Sequence, residues 1–334
     1  MGLTSTQKYA AIAALIVVLA AAGAVWYYTR PQPKTHLIVS TTTSFYETGF
    51  LDAVKQSFEV KYSQYNVSFI SQGTGLAIET AKRGDADLIL VHDPVAETKF
   101  LTDGYGVNRK IVAFNFFIYV GPDSDPAGVK GSSPLDALKK IREEGPKGNA
   151  IWVSRGDNSG THSKEKALWI LAGFNLTLLK EEKAPNGQPW YLEAGTGMTA
   201  TLQLANQKDA YTITDLASYL KNSVNSNIQL VKVVEAGKDT LNVYSAIVCN
   251  PAKNTRGKFD ASMDFVEYLS SNDGQELFRI FGVASYGQAL FKPWLVLLRS
   301  NSDSELIHWI KNYAYIQGSD CPETYRLNAG DLYK

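Results

Sequence analysis

Short apolar runs alternate with helical spacings along most of this chain, and the turns between them are built from hydroxyls and glycines. Leu37-Ile38-Val39-Ser40 reads as a strand running into Thr41-Thr42-Thr43-Ser44, with Phe50, Leu51, Val54 and Phe58 following at helical spacing. Val67-Ser68-Phe69-Ile70 is a second strand, ending in Ser71-Gln72-Gly73-Thr74-Gly75 ahead of a helix from Leu76 to Lys82. Asp87 to Val91 is a third. Strand, polar turn, helix, strand is the pattern of βαβ units and predicts mostly parallel sheets flanked by helices. Such sheets bind ligands at the carboxyl ends of their strands. Thr41–Ser44 and Gly73–Gly75 both fall there.

The pattern recurs further on. Val112 to Val120 is an aromatic and apolar strand stopped by Gly121-Pro122, and a second α/β unit begins near residue 122. Its strand, Ala150 to Val153, leads into Ser154-Arg155-Gly156-Asp157-Asn158-Ser159-Gly160-Thr161-His162, just before an amphipathic segment from Lys164 to Phe174. A glycine-rich loop opening a helix offers free N–H groups and the positive end of the helix dipole, which suits an anion. A guanidinium adds paired charged donors. Leu230 to Val234 and Val243 to Val248 are strands again, and a helix from Ser262 to Leu269 returns the chain to the first unit. Two lobes joined by two crossing strands explain this order.

Each candidate residue has an ordinary alternative. Arg155 is the main charged donor, or a loop-shaping partner of Asp157. Ser159 and Thr161 either bind or merely cap the helix, and Gly160 permits close backbone approach. Thr42, Thr43 and Ser44, like Thr74 and Gly75, are binding donors or plain turn chemistry. Asp157 orients Arg155 or accepts the proton of a ligand such as hydrogen phosphate. His92 and His162 read as hydrogen-bonding groups behind the loops.

The first 35 residues stand apart. An uncharged apolar run over residues 9–28 is followed by Arg30-Pro31, and about twenty such residues suffice to span a bilayer. The run implies export, as an uncleaved anchor or a cleaved signal. Trp26, Tyr27 and Tyr28 suit a membrane interface, and Pro31-Gln32-Pro33 reads as a stiff linker. Lys plus Arg and Asp plus Glu are equal at 33 each, so no net field draws the chain to nucleic acid. Cys249 and Cys321 have no metal-ligand spacing and the four histidines are scattered, which gives no metal site.

Several motifs then occur in order: Ser40-Thr41-Thr42-Thr43-Ser44, Gly84-Asp85-Ala86-Asp87, Val91-His92, Gly121-Pro122 with Asp125-Pro126-Ala127-Gly128, and Ser154 to His162. Lys164-Glu165, Leu168-Trp169, Gly195-Thr196-Gly197-Met198 and Tyr211-Thr212-Ile213-Thr214-Asp215 complete the set. Over roughly residues 36–294 the chain resembles the tungstate-binding extracytoplasmic proteins of ABC uptake systems (Tup type). The resemblance implies a type II periplasmic-binding-protein fold, its two lobes closing on one bare tetrahedral oxyanion without cofactor or metal. It also implies delivery to a membrane permease driven by a cytoplasmic ATPase.

On this basis residues 1–35 form the anchor or signal and linker, 36–118 with 246–294 one lobe, 119–245 the other, and 295–334 an extension. The expected ligand set is Thr42, Thr43, Ser44, Thr74, Gly75, Arg155, Ser159, Gly160 and Thr161, supported by Asp157, Thr196, Gly197 and Thr214. Two departures from the family pattern stand out. The family usually ends near Pro293, so a Cys249–Cys321 disulfide is considered as a tie for the extension. Asp93 also stands where the family tends to have alanine.

Two rival readings remain. A molybdate-, sulfate- or phosphate-binding protein of the same fold differs in selectivity. Tungstate, molybdate and sulfate carry no proton near neutral pH and need donors only, whereas hydrogen phosphate benefits from one acceptor. A serine hydrolase using Ser159 and His162 is the more distant reading, since an extra asparagine splits Asp157 from Ser159 and no Gly-x-Ser-x-Gly elbow exists.

Overall fold

The computed structural model describes residues 4–30, 33–225, 227–235 and 237–334. It opens with helix Ser5–Thr29, whose stretch Ser5–Trp26 has a mean hydropathy of 2.3 and is long and apolar enough to cross a membrane. Its described side chains are exposed. Pro31 and Gln32 of the expected linker, and the side chains of Tyr27 and Tyr28, lie outside the described residues.

Three parallel strands follow: β1 (Thr35–Thr42), β2 (Tyr65–Gln72) and β3 (Leu88–Val91), with β1 between the other two. Helix Phe50–Lys61 connects β1 to β2 and buries Phe50, Leu51, Val54 and Phe58 at the predicted spacing. Helix Thr74–Lys82 connects β2 to β3. The long strand β4 (Gly106–Gly121) comes next, then β5 (Trp152–Ser154), β6 (Tyr191–Glu193), β7 (Thr212–Asp215), β8 (Val231–Val234), β9 (Leu241–Cys249) and β10 (Lys292–Pro293).

The expectation of mostly parallel sheets needs correction. Strands β10-β4-β9-β3-β1-β2 form one continuous mixed sheet, with β7 and β8 also on β4. Among the described residues, parallel pairing is confined to β1 with β2 and β3, to β5 with β6, and to a single bridge between Trp152 and Tyr211. The physical reason is that the chain leaves the first half along β4 and comes back along β9, so these two strands pair antiparallel. β4 exchanges partners between Phe116 and Phe117: up to Phe116 it pairs with β9, and from Phe117 with β7 and β8. The return crossing lies between Val234 and Leu241.

The buried core divides in the same place. One cluster joins Leu37, Val39, Phe45, Phe50, Val112 and Phe291, and another joins Phe117, Tyr119, Trp152, Trp169 and Trp190. Helix Leu216–Val224 lies between the halves, with Ala217 packed against the first core and Leu216 and Tyr219 against another second-half cluster.

Cys249 and Cys321 are free, buried thiols, so the considered disulfide is absent. The extension is held without it. Helix Ser304–Ala314 packs Ile307, Ile310 and Ala314 on Ile111, Phe114, Leu241 and Val243. Beyond that helix, the fully buried Arg109 donates through Nη1 to the Asp320 carbonyl (2.7 Å) and pairs with the equally buried Glu97 (2.8 Å). A buried charge left unpaired is costly; Glu97 supplies the counter-charge for Arg109, and the Asp320 contacts tie the tail to β4. Asp93 is explained as a helix cap: its Oδ1 accepts from the Ala96 N–H (3.1 Å) at the start of helix Pro94–Thr102.

Candidate functional site

The hydroxyl- and glycine-rich turns converge where the two halves meet. Thr41 and Thr42 end β1, while Thr43 and Ser44 open the short helix Thr43–Glu47. Thr74 is the first residue of helix Thr74–Lys82, after β2. From the second half, β5 delivers Ser154, and Arg155 to Ser159 lead into helix Gly160–Leu171. Gly156 and Asn158 have positive φ (67° and 56°), and a Cβ on Gly156 would lie 2.8 Å from that of Glu193. Only glycine fits that turn.

At these turns two hydrogen bonds cross between the halves. Arg155, only 1% exposed, donates through Nη2 to Thr43 Oγ1 (2.6 Å). The Gly160 N–H donates to Thr74 Oγ1 (2.9 Å). A Cβ on Gly160 would come within 2.8 Å of the His92 ring, so glycine is what permits this approach. The positive ends of helices Thr74–Lys82 and Gly160–Leu171 therefore meet beside a buried guanidinium, a concentration of positive potential that an anion relieves.

Support for this loop comes from carboxylates turned inward. Asp157 accepts from Arg155 Nε (2.9 Å) and from the Ser159 N–H (3.1 Å), one bond on each oxygen. Behind it, Glu165 is buried and accepts from Trp152 Nε1 (2.8 Å), Tyr191 OH (2.7 Å), Ser154 Oγ (2.9 Å) and the Arg155 N–H (3.3 Å). Burial pushes its carboxyl up to about 6, the donors only moderating the shift. Asp215 is engaged in the same manner by the Ser218 N–H and hydroxyl (3.0 and 2.7 Å).

Ser159 Oγ caps helix Gly160–Leu171 by accepting from the His162 N–H (3.3 Å), a bond that leaves its O–H available as a donor. His162 Nδ1 accepts from the Asn158 N–H (2.9 Å), and no hydrogen bond links this ring to Ser159 among the described residues. The nucleophile–base pair that a serine hydrolase requires is not formed. Thr161 Oγ1 is buried with no hydrogen-bond partner among the described residues.

The other expected positions make different contacts. Thr42 Oγ1 and Ser44 Oγ are 3.5 Å apart, and Ser44 Oγ is 3.4 Å from His92 Nε2. Gly75 is exposed, and a Cβ there would meet nothing within 4 Å. Thr196 is exposed, Gly197 precedes helix Met198–Gln207, and Thr214 spends its hydroxyl on the Asp215 carbonyl (3.1 Å).

Sequence reasoning passed over Glu165 and the polar chain behind His92. His92 Nδ1 lies 2.8 Å from Asn242 Oδ1, and Asn242 donates to Asn115 Oδ1 (2.8 Å) and Tyr244 OH (2.9 Å). Burial lowers the pKa of the His92 ring, keeping it neutral near pH 7. The available signal for Glu165 was its helical position. Thr161, His162, Glu165, Leu168 and Trp169 form one buried stripe, and a carboxylate in such a stripe needs donors.

Comparison with known proteins bears on the family of the chain. A family model described as a PBP superfamily domain matches residues 28–273. A Haloferax volcanii protein that carries the name of an ABC transporter anion-binding protein is 44% identical over 77% of this chain and 71% of its own length. The tungstate-binding protein TupA of Peptoclostridium acidaminophilum is 38% identical over 79% of this chain and 87% of its own. The solved structure of TupA from Desulfovibrio alaskensis G20 superposes with a TM-score of 0.64 at 38% identity, covering 78% of this chain and 99% of that one. The chain belongs to the PBP superfamily and, within it, to the TupA family of tungstate-binding proteins.

Proposed function

We propose that this chain is the extracytoplasmic solute-binding component of a tungstate ABC uptake system. It captures one fully ionised tetrahedral oxyanion between its lobes and hands it to a membrane permease coupled to a cytoplasmic ATPase. It is a binding protein, not an enzyme. Helix Ser5–Thr29 serves as membrane anchor or export signal. The lobes divide where β4 changes partner, at Phe116 and Phe117, and on the return between Val234 and Leu241.

The observation that carries this reading is the pair of bonds from Arg155 to Thr43 and from the Gly160 N–H to Thr74. Each pairs a second-lobe donor with a first-lobe hydroxyl, and an anion placed between them takes donors from both lobes. We assign the centre of the site to Thr43, Thr74, Arg155, Gly160 and Thr161, with Thr42, Ser44 and Ser159 beside it. Gly75 gains no support from its exposed position. Closing on the ligand shifts the population toward the form that a permease recognises.

Selectivity follows from the acceptors. Each oxygen of Asp157 and of Asp215 already accepts one protein donor, which turns these carboxylates toward shaping their own loops and favours a ligand that brings no proton. Tungstate, named for the TupA relatives, brings none. Calorimetric titration of the full chain in detergent with tungstate, molybdate, sulfate and phosphate tests this. Tight tungstate binding with phosphate much weaker is expected, and tight phosphate binding without tungstate binding overturns it.

A further inference from the structure

We propose that Glu47 is a positioning residue for anion capture, its carboxylate clasping the start of helix Met198–Gln207 across the cleft and so setting how readily the lobes close. The inference rests on the oxyanion-binding reading of the site and adds a residue outside the expected ligand set. Glu47 ends the short helix that Thr43 begins. Residues four apart lie on one side of a helix, so one turn carries both the hydroxyl that meets Arg155 and this carboxylate.

Three groups receive Glu47. Thr199 Oγ1 donates to its Oε2 (3.2 Å), and Lys221 Nζ donates to its backbone carbonyl. The third is Gly197, where a Cβ would lie 3.4 Å from Glu47 Oε1. Gly197 precedes helix Met198–Gln207 and supplies no side-chain cap, so the first turn of that helix lacks a local acceptor. A carboxylate from the opposite half stands there instead, where the helix dipole favours negative charge. Asn222 Nδ2 extends the contact by donating to Thr199 Oγ1 (3.4 Å).

All three groups are reached from the first-half core, since Phe45 on the same helix packs among Phe50, Tyr244 and Phe291. The clasp thus bridges the halves, with Thr199 and Gly197 coming from the second and Lys221 from the helix that lies between them. Its contribution is independent of which anion lies in the cleft, because it adds to the closed form and not to the ligand contacts.

The test compares Glu47→Ala, Glu47→Gln and Thr199→Val in the full chain in detergent. Tungstate and molybdate are titrated by calorimetry, release is followed by stopped-flow tryptophan fluorescence, and closure by the distance between spin labels on Glu79→Cys and Lys208→Cys. Both labelled positions are exposed, whereas the native thiols are buried. Glu47→Ala should weaken both anions by roughly five- to tenfold with their ratio unchanged, about 1.4 kcal/mol at the upper end. Faster release, an unaltered melting temperature without ligand and a wider label separation should accompany it. Glu47→Gln, whose amide oxygen still accepts from Thr199, should recover most of the loss, which a purely charge-based or merely structural role would not allow. Unchanged affinity and release in Glu47→Ala, or a changed tungstate-to-molybdate ratio, overturns the clasp. If the wild-type chain binds none of the anions, the oxyanion reading fails separately. The label distances still decide in that case: equal separations in wild type and Glu47→Ala overturn the clasp, and a wider one in the variant supports it.

Discussion

The two halves bring different chemistry to their meeting point. The first offers neutral hydroxyls, Thr43 and Thr74, each at the start of a helix that follows a parallel strand. The second offers charge, with Arg155 buried and tied to Asp157 while Glu165 gathers four donors beneath it. Neutral donors need only the βαβ topology to aim them, because strand ends and helix starts coincide there. A buried guanidinium needs a counter-charge and a rigid frame as well. The first half is therefore placed by its backbone and the second by its buried acids.

Removing the charge should break the comparison most severely. Arg155→Ala deletes a charged donor and strands Asp157, a loss on the scale of 1.5–3 kcal/mol per charged hydrogen bond, or roughly a hundredfold in tungstate affinity. Arg155→Lys should fall between, since one ammonium cannot reproduce a fork that reaches Asp157 and Thr43 together. Calorimetry decides this, and wild-type affinity in Arg155→Ala would mean that the second half does not supply the charge.

The frame beneath Arg155 has its own signature. Burial raises the Glu165 carboxyl from the ordinary 4.5 to about 6, so the folded chain binds this proton more tightly than the unfolded chain. Its contribution to stability is greatest below pH 4.5 and falls as pH rises through 6. The change amounts to about 2 kcal/mol at 1.36 kcal/mol per unit. In Glu165→Gln that dependence is gone, while His92 and His162 titrate alike in both chains. Urea unfolding at pH 4 and pH 7 should show the wild type losing about 2 kcal/mol relative to the variant. A pH-independent difference would place Glu165 in a less desolvated frame.

Much of the first half was legible in the sequence because its signals are local. Apolar runs, polar turns and helical spacing marked β1, β2 and β3 and the turns containing Thr43 and Thr74. Arg155 and its pairing with Asp157 were also legible, two residues apart in one loop. Glu165 was not, because its partners Trp152 and Tyr191 come from separate strands. Glu47 escaped for the same reason, since Thr199 and Lys221 lie far along the chain. The antiparallel course of β4 and β9 was equally hidden, because strand direction depends on the route between lobes and not on local pattern.

The contact between the halves can be probed from the backbone. Gly160→Ala places a methyl 2.8 Å from the His92 ring, while alanine favours a helix over glycine by about 1 kcal/mol. The ligand-free melting temperature should hold or rise slightly as tungstate affinity falls about tenfold. Unchanged affinity would show that the lobes close less tightly on the anion than they meet here.

The smallest effects belong to the neutral half, and their value lies in salt dependence. Thr43→Val and Thr74→Val each remove one uncharged partner worth about 0.5–1.5 kcal/mol, hence roughly three- to tenfold in affinity. Screening by salt acts on charges and hardly on hydroxyl hydrogen bonds. The two threonine variants should therefore bind tungstate more weakly with the wild-type slope of affinity against ionic strength, whereas Arg155→Ala should flatten that slope. If Thr43→Val flattened it as well, Thr43 would be acting by holding the Arg155 guanidinium in place through its 2.6 Å contact. The division of labour between the halves would then reduce to a single charged residue positioned from both sides.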